Sequence, residues 1–194
     1  MNLLFAATQF VIKRKGLSSD KFRIFSSDGK LLLYAEEKIQ WKSPFTTSIH
    51  IFADEKKAQE ILCAQDGKHE GYNNFLEVTD PATGQKIGGV GCDWANFFEE
   101  AWAIVDAGNA LVCTLRESST KRALLHELTN GVIPQKLDFR VDEQTVGGLR
   151  QKSALIGHHL LVDFSQDSTN RLDHRLGLVA AIVVAAHQAK TDLD

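Results

Sequence analysis

Nothing in this sequence pairs its cysteines. Cys63, Cys92 and Cys113 are odd in number, far apart and in no CxxC arrangement, which points to a reducing compartment and to neither a disulfide frame nor a zinc site. An excess of positive charge is also missing. The 22 Lys and Arg stand against 25 Asp and Glu, a formal net charge of −3, the opposite of the balance usual in nucleic-acid binders. The opening residues MNLLFAATQFVIKRKG lack a basic start, and the apolar run 3–7 is too short for a signal peptide.

Reactive signatures are absent as well. There is no GxSxG elbow, no HExxH and no HxE followed by CxxC, so no catalytic residue is nominated and no cofactor is expected. Gly88-Gly89-Val90-Gly91 lacks Rossmann spacing, a Walker lysine and a directly following helix. Those glycines read instead as a bulge or a close approach of backbone. His50, His69, His126, His174 and His187 show no metal spacing, and His158, in an apolar alternation, reads as a buried neutral histidine. Trp41, Trp94 and Trp102 read as core or barrel-rim residues.

One long apolar run is present, in the stretch 171–190, RLDHRLGLVAAIVVAAHQAK. From Leu176 to Ala186 it has no polar side chain and no polar face. A helix apolar all round has to be surrounded. At ~1.5 Å per residue those residues span about 16 Å, half of a ~30 Å hydrocarbon core, so a buried helix is expected and no transmembrane segment. Asn170 is placed as its cap, with Asp173 at the third helical position. Leu172, Leu176, Leu178, Val179, Ile182, Val183 and Val184 offer roughly 10–20 kcal/mol on burial, an upper bound. Leu176, Val179, Ile182 and Val183 are the expected core of this helix.

Everything before the helix reads as short strands and turns. Asp28-Gly29 separates strands expected at 22–26 and 30–37, the second with Leu31, Leu33 and Ala35 on one face. Asp80-Pro81-Ala82-Thr83-Gly84 separates 74–79 from 86–92, and Ala107-Gly108-Asn109 separates 100–106 from 110–116. Further strands are expected at 9–15, 46–53, 59–64, 121–128, 136–142, 145–152 and 155–164. In 136–142 the alternation puts Leu137, Phe139 and Val141 inward. About a dozen antiparallel strands in a single domain 1–194, with a terminal helix, suggest a barrel too wide to fill with its own side chains and filled by the helix.

The segments FVIKRKG (10–16), FRIFSSDGKLLLYAEEK (22–38), FLEVTDPATGQKIGGV (75–90), AWAIVDAGNALVCTLRE (101–117) and RLDHRLGLVAAIVVAAH (171–187) together resemble the Tubby C-terminal-like superfamily. Within it they are most similar to the LURP-one-related and phospholipid scramblase-like proteins. The resemblance implies a closed barrel around a central hydrophobic helix. Its functional implications are divided. Tubby proteins bind phosphoinositides through a basic cavity, scramblases are associated with calcium and lipid movement, and LURP-one-related members mostly lack a defined activity. The stretch before the helix, with Asp163, Asp167 and Asp173, lacks the central glycine and terminal glutamate of a twelve-residue calcium loop. The scramblases' cysteine-rich and proline-rich segments have no counterpart here.

Two sets of side chains remain as candidates. Lys13, Arg14 and Lys15, with Lys21 and Arg23, could meet a phospholipid headgroup, although strand alternation separates Arg14 from Lys13 and Lys15. The same lysines could instead protect an edge strand from aggregation. Asp163 and Asp167 are the candidate cation ligands. The expectation is a non-enzymatic binding or scaffold domain of undefined role, cytoplasmic or peripheral to a membrane, with an anionic phospholipid or a protein as partner. A small-molecule binder or enzyme with a pocket at the barrel mouth, and a scramblase-like calcium-linked membrane protein, are the alternatives.

Overall fold

Short strands joined by tight turns can pair only with their sequence neighbours, and a sheet built this way closes when its last strand meets its first. The computed structural model describes residues 5, 7–15, 20–39, 47–92, 102–117, 136–152 and 159–191. Its strands are β1 (Gln9–Arg14), β2 (Lys21–Ser26), β3 (Leu31–Ile39), β4 (Thr47–Phe52), β5 (Glu60–Asp66) and β6 (Asn74–Asp80). They continue as β7 (Gln85–Cys92), β8 (Trp102–Asp106), β9 (Leu111–Glu117), β10 (Lys136–Val141), β11 (Gln144–Lys152) and β12 (His159–Asp163), before helix α1 (His174–Thr191). These twelve described strands form one closed antiparallel barrel, each beside its sequence neighbour, with β12 returning to β1. The strand expected at 121–128 lies outside the described residues, as do Trp41, Trp94, His126 and His158.

Local chemistry sets the turns. Gly29 and Gly84 take φ of +86° and +68°, a region that costs a side chain but not glycine. The β8–β9 turn is organised by Asp106, whose Oδ1 accepts the backbone N–H of Gly108 and of Ala110, both at 2.9 Å. Alternation then fills the interior. Leu137, Phe139 and Val141 of β10 are buried as the pattern requires. Leu31 departs from the expected face: Ile24 pairs with Leu33 but Phe25 with Leu31, so the ladder bulges at Leu32 and turns Leu31 outward to 37% exposure.

The helix is enclosed. Leu176, Leu178, Val179, Ala180, Ala181, Ile182, Val184, Ala185 and Ala186 are all buried and Val183 is partly buried against the same core, so from Leu176 to Ala186 no side chain is fully exposed. It packs on β7, β8 and β12. Gly88 makes that packing possible, since a Cβ there would fall 2.2 Å from the Val105 carbonyl and 2.8 Å from Leu176 Cδ1. The β6–β7 ladder also slips beside it, from Val78↔Gly88 to Thr79↔Lys86. Close approach and bulge therefore coincide at this glycine. Among the described residues no helix is long and apolar enough to cross a membrane.

The helix begins three residues later than its sequence pattern suggests. Asp173, not Asn170, is the cap: its Oδ1 accepts the Arg175 N–H at 2.9 Å and its carbonyl accepts the Gly177 N–H at 3.1 Å. Asn170 sits in the preceding turn at φ +52°. The reason is Asp167, whose buried carboxylate takes the N–H groups of Arg171 and Leu172 at 2.8 and 3.0 Å and holds them in a turn ahead of the helix.

Candidate functional site

The barrel interior is mostly apolar, with Glu37 buried opposite Ile49, and a dense set of polar side chains lies on the outside of β1–β6. Cross-strand partners point to the same side of a sheet, so the register alone assigns the faces. Arg14 pairs with the fully buried Phe22 and belongs to the inner face, as alternation predicts. Lys13 pairs with Arg23, Arg23 with Tyr34 and Tyr34 with Phe52, giving one outer row. Lys21, Glu36, His50, Cys63 and Thr79 give a second. The structure thus brings Lys13, Lys15, Lys21 and Arg23 to one wall and leaves Arg14 out. Because β1 lies between β12 and β2, it is not an edge strand in the closed barrel.

The β4–β5 connection folds back over this wall. Asp54 shapes it, its Oδ1 accepting the Lys56 N–H at 2.9 Å, and Lys57 allows the turn at φ +59°. Glu55 is thereby delivered to two cations. Lys15 Nζ donates to Glu55 Oε2 at 2.7 Å, Arg23 Nε donates to Glu55 Oε1, and an Arg23 terminal nitrogen reaches Glu55 Oε2 at 3.3 Å. The bonds from Arg23 and Lys15 hold the Glu55 carboxyl down at about 2. Lys57 anchors the far side of the loop through an ion pair to Glu36 at 2.7 Å. Burial works to raise the Glu36 carboxyl, but bonds from Lys57 and from the Tyr34 hydroxyl, which donates at 2.7 Å, outweigh it and leave it low. Lys13 and Lys15 also lie over aromatic rings, 4.9 Å from the centre of Phe25 and 5.4 Å from that of Tyr34.

Beside this clasp a different cluster occupies the same wall. His50 Nδ1 lies 2.6 Å from Glu60 Oε1 and 3.8 Å from Cys63 Sγ, while its Nε2 is 3.0 Å from Ser48 Oγ. A regular strand would put residues 60 and 63 on opposite faces. Here Ile51 pairs with Leu62 but Phe52 with Glu60, so Ile61 is an extra residue, and Glu60 and Cys63 both turn toward His50. The Phe52 ring stacks on the imidazole, 6.4 Å between centres and 18° between planes. Burial and the neighbouring Glu60 carboxylate raise the Cys63 thiol, the wrong direction for an activated nucleophile. Glu60 and Cys63 moreover approach the same ring nitrogen, so the imidazole cannot be oriented by one while taking a proton from the other.

The two aspartates nominated as cation ligands have other partners. Asp163 accepts the Ser165 N–H at 2.8 Å and the Gln9 side-chain amide at 3.1 Å, and both oxygens of Asp167 serve the turn before the helix. Among the described residues, the group of three His, Cys or carboxylate side chains whose ligand atoms lie within 4.8 Å of one another is His50, Glu60 and Cys63. All three cysteines are free thiols; Cys113 is buried, which pushes it up to about 12.

Sequence reading did not single out Glu55 or Glu60, and it read His50 as lacking metal spacing and Cys63 as belonging to no zinc site. Their spacing carries no signature, because the clasp spans 40 and 32 residues and the cluster depends on a bulge. Set against known proteins, the chain matches no family model and no curated protein.

Proposed function

We propose that the protein is a non-enzymatic binding domain that meets the headgroups of anionic phospholipids on the outer wall of β1–β3. The observation that carries this reading is the Glu55 carboxylate held between Lys15 and Arg23. Two cations, Arg23 on β2 and Lys15 just after β1, converge on an anion supplied by a loop, which is how an external phosphate or carboxylate would be held. Glu55 then acts as the chain's own occupant, keeping the surface closed until a denser negative surface competes for the cations. The resemblance to the Tubby-like proteins supports the same reading, in which the domain is cytoplasmic and touches a membrane from that side.

Co-sedimentation at low salt tests it, with vesicles of phosphatidylcholine alone or mixed with phosphatidylserine. Glu55→Ala should pellet severalfold more than wild type on the anionic vesicles only, and adding Lys15→Ala and Arg23→Ala should remove the gain. Equal pelleting of Glu55→Ala on neutral and anionic vesicles sinks the lipid reading and leaves the wall to a protein partner.

A further inference from the structure

The cluster on β4 and β5 has donors of three kinds pointing at one place. We propose that His50, Glu60 and Cys63 form a binding site for a single transition-metal ion, zinc by the character of its donors. The inference is independent of the lipid reading, since none of these side chains belongs to the clasp.

The donor set comes first. Imidazole nitrogen, thiolate sulfur and carboxylate oxygen are the ligands zinc takes, and a hard cation such as calcium or magnesium would not select sulfur or nitrogen. Geometry is the second support. Zinc bonds of roughly 2.0–2.3 Å in tetrahedral arrangement put nitrogen and sulfur ligands about 3.5 Å apart. The Nδ1 to Sγ separation is 3.8 Å. The 2.6 Å between Nδ1 and Glu60 Oε1 is a hydrogen-bond distance, and a metal ion replacing the shared proton would open it by under about 1 Å, within the side-chain freedom of a glutamate that is 30% exposed.

The surroundings supply the third. Ser48 Oγ, on a residue only 6% exposed, stands 3.0 Å from Nε2 and would accept its proton, fixing the tautomer that leaves Nδ1 as the donor. Phe52 holds the plane of the ring. The bulge at Ile61 has one evident result, the placing of two ligands on one face. On binding, the imidazole keeps its Nε2 proton, the proton shared by Nδ1 and Glu60 and the proton of the Cys63 thiol both pass to solvent, and the nitrogen, carboxylate and thiolate bonds to the metal form with no change of oxidation state. With three protein donors, a fourth position stays open to water or a partner's side chain.

Cobalt titration of the purified full chain, reduced with a phosphine, reads the site directly, because a thiolate bound to Co2+ absorbs in the near ultraviolet. The band should saturate at one equivalent and disappear on adding one equivalent of Zn2+. Cys63→Ala should abolish it, and His50→Ala or Glu60→Gln should weaken Zn2+ binding by roughly 10–100-fold in competition with a chelator. Should Cys63→Ala fail to fold, Glu60→Gln, which keeps side-chain shape at the wall, carries the test by the same competition. No band in the wild type, or a band unchanged by Cys63→Ala, overturns the proposal.

Discussion

The two sides of β4 show how differently one strand can be used. Ile49 and Ile51 are 1% and 0% exposed and press on the barrel core, while Ser48 and His50 on the opposite face join a chain of polar contacts. Inside, the fold depends on shape: glycine where helix and strand come within a Cβ of each other, phenylalanine and branched aliphatic side chains elsewhere. Outside, what matters is which charge meets which. Glu55 and Glu60, at the two ends of the same connection, make the contrast sharp. Glu55 has two cations, and Glu60 has an imidazole and a thiol. The inner face is built by packing, and the outer by the pairing of charged and polar groups.

Swapping the same side chain on both sides should break that division if it is false. Leu178 in the helix is 0% exposed and Leu111 at the start of β9 is 58% exposed. Leu178→Ala should cost about 2–5 kcal/mol and Leu111→Ala under about 0.5 kcal/mol, read from denaturant unfolding midpoints. Similar losses would mean the helix is not the centre of the core. Asp173→Ala removes the helix cap and should cost about 1 kcal/mol, whereas Asn170→Ala, if Asn170 were the cap, would cost more than Asp173→Ala.

The smallest effect is on pH. Glu55 has its folded pKa held at about 2, below the 4.5 of a free glutamate. Its contribution to stability is therefore complete above pH 4.5 and is lost as the pH falls through about 2. A carboxyl-carbon NMR titration should find Glu55 still ionised at pH 4 in the wild type. With both Lys15→Ala and Arg23→Ala it should move back toward 4.5, and an unmoved titration would show that the clasp does not hold it.

The barrel and its helix were legible because their signals are local. Asp28-Gly29 and Gly84 mark turns by themselves, Leu137, Phe139 and Val141 alternate within one strand, and Leu176 to Ala186 lack a polar face. Arg14 was also correctly separated from Lys13 and Lys15, since alternation needs no partner. The helix cap was misplaced because Asn170 suits that position in isolation, and only the reach of Asp167 to the N–H groups of Arg171 and Leu172 displaces it. Leu31 and the His50 cluster failed for a common reason. Each turns on a bulge, at Leu32 or at Ile61, and a bulge belongs to a pair of strands, whereas the sequence presents one strand at a time.

The seam between β1 and β12 has a consequence in time. Its Gln9 to Asp163 bond joins residues 154 positions apart, and the helix that fills the barrel follows β12 in the chain. Contacts of such span make folding slow, and a growing chain carries an open sheet with β1 exposed along one side until β12 has been made. During that interval β1 is an edge after all. Lys13, Arg14 and Lys15, which in the finished barrel divide between wall and interior, stand together on that edge as charges that discourage a neighbouring chain from pairing with it. The same three residues would then guard the open sheet before they take up their separate places in the closed one.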